Sequence, residues 1–207
     1  MKKENNVRQL AAVMFTDMIG YTALMQEDEQ KARKNRDRHR EVLERLIREN
    51  QGNILQYFGD GTLSVFDSAI NAVKCALEIQ TELQKEPAIP VRIGLNVGDI
   101  VYEEDGVYGD AVNVAARIEA ISIPGAVLFS DKVFDDIKNH PEFSSVSLGE
   151  FDKAFYHLEK ALEARLGGMI FLRNSPAFKE FRQDPRYKTL MKKIGLETDC
   201  HLSIPKP

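Results

Sequence analysis

The alternation of apolar and polar positions predicts short strands separated by amphipathic helices along most of the chain. Residues 10–15 form an unbroken apolar run, which is typical of a buried central strand. Later segments repeat apolar residues at helical spacing. The predicted helices span residues 27–49, 69–83, 108–121 and 131–138, and the other predicted strands span 53–58, 62–66, 91–97, 100–102 and 127–129.

The order of the first six elements is strand, helix, strand, strand, helix, strand, which predicts an α+β fold. The arrangement is that of a ferredoxin-like split βαβ sandwich with its helices on one face of the sheet. Asp60 and Gly61 separate two of the strands, and an Asp-Gly pair in that place predicts a hairpin. The composition changes near Leu148. We therefore divide the chain into a first domain, residues 1–148, and a helical C-terminal extension, residues 149–207.

Composition narrows the class of protein. The 207 residues are 43% hydrophobic and 29% charged, a balance typical of folded globular proteins. The formal net charge of −4 argues against a general nucleic-acid binder, which is usually basic. Cys75 and Cys200 are too few for a disulfide framework, and no apolar run reaches the roughly 20 residues of a membrane helix. We expect a soluble, cytoplasmic protein that binds neither nucleic acid nor membrane.

Two carboxylates are the first candidates for chemistry. Asp17 ends the first strand and Asp60 lies at the hairpin tip. Each alone has an ordinary explanation, as a helix cap or a turn former. If the first strand lies beside the hairpin, both carboxylates meet at one sheet edge, where hard oxygen ligands suit Mg²⁺ or Mn²⁺ together with substrate phosphates. The turn after Asp17 would offer backbone N–H groups to a triphosphate, and its residues are Met18, Ile19, Gly20, Tyr21 and Thr22.

A polar pair on a later helix is the second candidate. Asn113 and Arg117 are four residues apart, so they share one face of the predicted helix 108–121. A solvated helix surface would explain the pair equally well without any function.

Four motifs occur in an order that resembles a known family. They are FTDMIGYT at 15–22, FGDG at 58–61, RIGL at 92–95 and VYGDAVNVAARIE at 107–119. Together they resemble the catalytic domain of the class III adenylate/guanylate cyclases. The resemblance runs from about Leu10 to Gly149, which is most of the chain.

This resemblance implies a homodimer with two active sites at the subunit interface. Asp17 and Asp60 match the two metal-binding aspartates of one subunit, which hold two Mg²⁺ or Mn²⁺ ions per site. Asn113 and Arg117 match the pair from the other subunit, where Asn orients the ribose and Arg stabilises charge on the reacting phosphate. The implied reaction is in-line attack of the ribose 3′-oxygen on the α-phosphate, with release of pyrophosphate.

The resemblance leaves the purine base open. Positions that usually hold Lys and Asp in adenine-specific relatives hold Gln56 and Gly106 here. Guanine-specific relatives typically carry Glu and a small residue. A Gln side chain both donates and accepts hydrogen bonds, so it suits either purine. We favour ATP over GTP because adenylate cyclases are the more frequent members of the family.

The C-terminal extension departs from the family pattern. Cyclase domains usually continue into a last strand with a phosphate-binding Lys, and Lys153 is out of step with that position. From Gly149 the sequence GEFDKAFYHLEKAL resembles part of a tetratricopeptide repeat. A partial repeat leaves an apolar face uncovered, so it is a candidate surface for a protein partner, unless the tail packs on the cyclase sheet.

The leading hypothesis is therefore a purine nucleotidyl cyclase for intracellular signalling. The alternative is a catalytically weak or inactive cyclase-like regulatory or interaction module, which Gln56, Gly106 and the irregular C-terminus favour. A diguanylate cyclase is disfavoured, because the chain lacks a full Gly-Gly-Asp/Glu-Glu-Phe run.

Overall fold

The computed structural model describes residues 7–103, 106–143, 145, 152, 155–156, 159, 168–171 and 183–193. Seven strands are β1 (Val7–Met18), β2 (Gly52–Phe58), β3 (Gly61–Phe66), β4 (Val91–Glu103), β5 (Gly106–Tyr108), β6 (Ala126–Phe129) and β7 (Gly168–Phe171). The helices are α1 (Tyr21–Glu27), α2 (Glu29–Glu49), α3 (Ala69–Leu83), α4 (Asp110–Ile121), α5 (Asp131–Ile137) and α6 (Pro185–Lys193).

The strands form one mixed sheet in the order β2-β3-β1-β4-β6-β7, with β5 paired to β4. The pairs among β1 to β5 are antiparallel, whereas β6 runs parallel to β4 and β7 parallel to β6. The first four strands and the helices between them reproduce the split βαβ order. The predicted α+β fold is thus confirmed.

The sheet is covered on both faces, and the expectation that the helices share one face is wrong. The larger core joins α2, α3 and α5 to one side of the sheet. The smaller core joins α4 to the other side, through Ala111 and Ala115 packed with Val13, Leu63 and Ile100. The unbroken apolar run in β1 needs this arrangement, because its alternate side chains point to opposite faces.

Close packing fixes α4 on the sheet at Gly94. A Cβ atom at this position would lie 2.2 Å from the Glu119 nitrogen and 2.7 Å from the Ala115 oxygen. Asn96 adds a buried hydrogen bond from its Nδ2 to the Ala111 oxygen, at 3.2 Å. The helix backbone therefore rests directly on β4, and its register over the sheet is set by these contacts.

Three element boundaries differ from the sequence prediction. The helix predicted for residues 27–49 begins earlier as α1 and breaks at Asp28, whose side chain accepts a hydrogen bond from the Lys31 N–H and caps α2. The strands predicted on either side of Gly98 are one continuous strand, β4. The helix predicted from residue 108 begins at Asp110, since the preceding residues form β5 and Gly109 has a φ of 145°.

The C-terminal extension contributes a strand that the sequence did not predict. In β7, Gly168 to Phe171 pair with Ala126 to Phe129 of the buried strand β6. The short apolar run after a Gly pair suits an added strand beside a buried one. Gly149, Lys153 and most of the segment that resembles a tetratricopeptide repeat lie outside the described residues, so that resemblance and the boundary at 148 stay predictions.

Within the C-terminal extension, Arg186 contacts Phe155 and Asp152. Its guanidinium lies 4.5 Å from the centre of the Phe155 ring, and its Nη1 donates to Asp152 Oδ1 at 2.5 Å. Phe155 is buried. Within the described residues, no helix combines the length and apolar character that crossing a bilayer requires.

Candidate active site

Asp17 lies near the end of β1, on the α4 side of the sheet. Val13 and Phe15 belong to the smaller core on that side, and strand alternation puts Asp17 on the same face. It pairs in register with Arg92 of β4. The strand ends one residue later at Met18, and Gly20 then adopts a left-handed conformation with a φ of 77° before α1.

The β2–β3 hairpin brings Asp60 to Asp17. Gly59 and Asp60 form the turn, and Thr62 of β3 pairs with Thr16 of β1. The ideal Cβ position of Gly61 is 3.5 Å from Asp17 Oδ1, so the hairpin turn lies against that carboxylate. Burial raises the pKa of Asp60, and the neighbouring charge of Asp17 raises it further. The two carboxylates therefore meet at one edge of the sheet.

The hairpin that carries Asp60 is braced by α2. Arg40 donates from Nη2 to the Gly59 oxygen at 3.2 Å, and its guanidinium lies 4.8 Å from the centre of the Tyr57 ring. The Tyr57 hydroxyl donates to Glu44 Oε1 at 2.7 Å. Burial, with this hydrogen bond, raises the pKa of Tyr57 to about 12. Sequence analysis missed Arg40, and only tertiary pairing distinguishes it from the neighbouring cations of α2.

Arg92 joins Asp17 to α4. Its Nη2 lies 2.5 Å from Asp17 Oδ2, and its Nε lies 2.9 Å from Glu119 Oε1. Its Nη1 donates to the Ala120 oxygen at 3.3 Å. The Arg92 and Glu119 side chains are each 12% exposed. Both residues stand inside motifs that the sequence analysis quoted, but nothing in the sequence indicates that they meet.

Glu119 is a largely buried carboxyl group with a strongly shifted pKa. Burial raises its pKa to about 7, against the stabilising charge of Arg92, and the Asp17 and Asp60 carboxylates add to the rise. One guanidinium thus faces three carboxyl groups. Such a surplus of acidic groups favours the approach of a further cation.

Asn113 and Arg117 lie on the outer side of α4. Both side chains are exposed, whereas Ala111, Ala115 and Ile118 of the same helix are buried against the sheet. Across the described residues, no hydrogen bond or ion pair joins either side chain to Asp17 or Asp60. Within the described residues, the two candidate pairs of one chain therefore make no direct contact with each other.

The candidate substrate residues are spread over three elements, the start of α1, strand β2 and strand β5. Tyr21 is half-buried and Thr22 exposed at the start of α1, which has only seven residues, so its helix dipole is small. Gln56 is exposed and follows an irregularity in the β2 register. Gly106 begins β5 with a φ of 157°. Strands β2, which holds Gln56, and β5, which begins at Gly106, contact each other.

The acidic pair fits divalent cations as a partial site. In the described segments, no group of three or more His, Cys, Asp or Glu side chains is arranged to hold a metal ion. Asp17 and Asp60 would therefore need further oxygen ligands from outside their own side chains. Mg²⁺ characteristically binds through one or two carboxylates plus substrate phosphates, so this donor set is appropriate.

Comparison with known proteins places the chain in a family. The profile of the family described as adenylate and guanylate cyclase catalytic domain matches residues 4–154. A Rhizobium meliloti (strain 1021) protein provisionally named adenylate cyclase 3 is 39% identical over 171 residues, covering 79% of this chain and 28% of the relative. An adenylate cyclase of Glutamicibacter nicotianae is 28% identical over 134 residues, covering 64% of this chain and 33% of the relative. The chain thus spans about a third or less of these curated relatives.

Solved structures show the same fold. The adenylate/guanylate cyclase/hydrolase from Silicibacter pomeroyi is 43% identical, with a TM-score of 0.61, over 65% of this chain and 83% of the other. An adenylyl cyclase from P. aeruginosa, at 20% identity, also has a TM-score of 0.61, over 66% and 84% of the two chains. The chain belongs to the family of adenylate and guanylate cyclase catalytic domains.

Proposed function

We propose that this chain forms the catalytic domain of a purine nucleotidyl cyclase that converts ATP, or less readily GTP, to the 3′,5′-cyclic nucleotide and pyrophosphate. The product would serve intracellular signalling in the cytoplasm. The observation that carries the proposal is the convergence of Asp17 and Asp60 at one sheet edge. Membership in the cyclase family supports the same chemistry.

Asp17 and Asp60 would hold two Mg²⁺ or Mn²⁺ ions. When bound, these ions neutralise phosphate charge and lower the pKa of the attacking hydroxyl. The raised pKa of Asp60 reflects burial and its neighbour's like charge, a cost that a divalent cation between the carboxylates relieves. Gly20, Tyr21 and Thr22 border this edge and are the proposed contacts for the phosphates.

Asn113 and Arg117 would complete the site of a second chain. Both are exposed on the outer side of α4, so a twofold dimer is needed to set them opposite the partner's acidic pair. The Arg117 guanidinium stays charged and bridges phosphate oxygens, which stabilises charge that develops on the reacting phosphate. The Asn113 amide would orient the ribose. Gln56 and the backbone around Gly106 would contact the base.

The second candidate is a cyclase-like regulatory module with little or no turnover. It is favoured by the ion pair in which Arg92 already neutralises Asp17. The unusual residues Gln56 and Gly106 also favour the regulatory module. So does a C-terminal extension that would bind a protein partner. The two candidates differ in one measurable respect, which is cation-dependent release of pyrophosphate.

The test is a turnover assay on the purified chain with ATP or GTP and Mn²⁺, in which cyclic nucleotide and pyrophosphate are quantified. Asp60→Asn should lower kcat at least about 100-fold, because loss of groups that merely support metal ligands already costs 10–100-fold. Asp37→Asn is the matched control, since Asp37 is an exposed α2 residue paired with Arg36. Equal rates for the wild type and Asp60→Asn, with both nucleotides, would favour the regulatory module.

A further inference from the structure

Arg92 contacts two elements that serve different purposes in the proposed dimer. On one side it binds the Asp17 carboxylate, at 2.5 Å. On the other side it contacts Glu119 at 2.9 Å and the Ala120 oxygen at 3.3 Å, both in the last turn of α4. Arg117 precedes Glu119 by two residues on the same helix. One side chain therefore links the acidic pair to the helix that carries the outward-facing arginine.

Arg92 and Glu119 lie close together, but the geometry of their contact is poor for a hydrogen bond. Arg92 Nε and Glu119 Oε1 are buried and, within the described residues, have no hydrogen bond of good geometry despite their 2.9 Å separation. A charge-assisted hydrogen bond between a guanidinium and a carboxylate is stronger when its donor and acceptor are well aligned. Better alignment of the guanidinium with Glu119 would therefore strengthen its contact with α4.

We infer that Arg92 and Glu119 are positioning residues that couple the two active sites of the proposed dimer. Glu119 draws the guanidinium from Asp17 and leaves that carboxylate more available to a divalent cation. The same contact holds the last turn of α4, and with it Arg117, in register for the opposite site. The inference rests on the proposed function, because Asp17 and Arg117 of one chain then belong to different sites.

The first test measures cation binding without turnover. Mn²⁺ is titrated into the nucleotide-free chain, and the free ion is quantified by electron paramagnetic resonance. Glu119→Gln should weaken Mn²⁺ binding about tenfold, as expected for a group that supports a metal ligand. Glu49→Gln removes the same charge from an exposed α2 pair with Arg45 and should leave binding unchanged. Equal affinities for Glu119→Gln and the wild type would overturn the Asp17 half of the inference.

The second test uses mixed dimers with one intact site. Chains with Asp17→Ala are combined with chains with Arg117→Ala, so the intact site takes its acidic pair from the second chain and Arg117 from the first. Glu119→Gln on the second chain should raise the Mn²⁺ concentration for half-maximal rate. On the first chain it should lower kcat at saturating Mn²⁺. No change in kcat when Glu119→Gln is placed on the first chain, which donates Arg117, would overturn the coupling.

A third variant separates positioning from folding. Glu119→Asp keeps the charge but withdraws the carboxylate by one methylene, so it should preserve the melting temperature and weaken Mn²⁺ binding less than Glu119→Gln does. On the Arg117-donating chain it should still lower kcat, and unchanged kcat would contradict the positioning role. Absence of cyclic product from the wild type would instead refute the proposed function, and the resonance titration would still decide how Glu119 acts on Asp17.

Discussion

His39 is a buried titratable residue outside the candidate site. Its side chain lies in α2 with 1% exposure, and in the described part of the chain its Nε2 atom has no hydrogen-bond partner. Burial lowers its pKa to about 4, and the nearby charge of Arg40 adds to the effect. The folded state therefore binds fewer protons than the unfolded state between pH 4 and about 6.5.

This difference predicts an acid-dependent loss of stability. The free energy of unfolding should fall as the pH drops from about 6.5 to 4, with a His39 share of at most about 3 kcal/mol. Denaturant unfolding of His39→Phe at several pH values should show a shallower pH dependence than the wild type. His140→Asn, at a half-buried residue beside Glu142, is the control. A His39→Phe slope equal to that of the wild type would contradict the prediction.

Gln56 is predicted to set the choice of purine. A Lys at this position only donates hydrogen bonds and suits the acceptor nitrogen of adenine, whereas an ionised Glu only accepts and suits the N–H groups of guanine. Gln56→Lys should raise the ratio of kcat/KM for ATP to that for GTP about tenfold, and Gln56→Glu should lower it similarly, since one charged hydrogen bond is worth about 1.5–3 kcal/mol. Unchanged ratios in both variants would remove Gln56 from base recognition.

Single residues differ in how far the sequence reveals them. Asp17 and Asp60 could be proposed as candidates because Asp17 ends a predicted strand and Asp60 lies in a predicted turn, each within a motif. The roles of Arg40, Arg92 and Glu119 could not, since each depends on a contact between elements distant in the chain. Burial and ion pairing of charged groups are properties of the assembled fold.

At the level of elements, periodicity predicted β1 to β4, β6 and α2 to α5, and it missed α1 and β5. Asp28 breaks a continuous helical pattern because its side chain caps α2. Strand β4 passes through Gly98 without interruption, since both neighbouring strand segments pair with β1. β7 was missed because its four residues gain their strand character from pairing with β6.

The contacts that Arg40 of α2 makes with the β2–β3 hairpin, called the brace here, predict how firmly Asp60 is held. Arg40→Ala removes the hydrogen bond to the Gly59 oxygen and the contact with the Tyr57 ring. Asp60 should then be less well positioned, and Mn²⁺ binding should weaken several-fold, in line with other groups that orient metal ligands. The measurement is the same resonance titration of free Mn²⁺.

The control for this brace is Arg33→Ala. Arg33 lies on the same helix but contacts only Glu29, four residues earlier, among the ion pairs of the described residues. It should bind Mn²⁺ as the wild type does. If both variants lose Mn²⁺ affinity equally, then the net charge of the chain, and not the brace, determines cation affinity.

At the scale of the whole molecule, the two halves of the proposed site make no direct contact within the described residues of one chain. The acidic pair lies at the sheet edge by the β2–β3 turn, and Asn113 and Arg117 lie on the outer side of α4. Sequence motifs proposed both pairs as candidates but could not show how the two pairs lie relative to each other in one chain. Only the packing of α4 over Gly94 determines which side chains of that helix face outward.

The most direct test of this account mixes two inactive variants, Asp17→Ala and Arg117→Ala. Random association should give mixed dimers with one intact site, and about one quarter of the wild-type activity should return. Co-purification through two different tags verifies that mixed dimers form. Recovery of cyclic nucleotide production is the predicted result, and activity no greater than the sum of the separate variants, in verified mixed dimers, would contradict shared active sites.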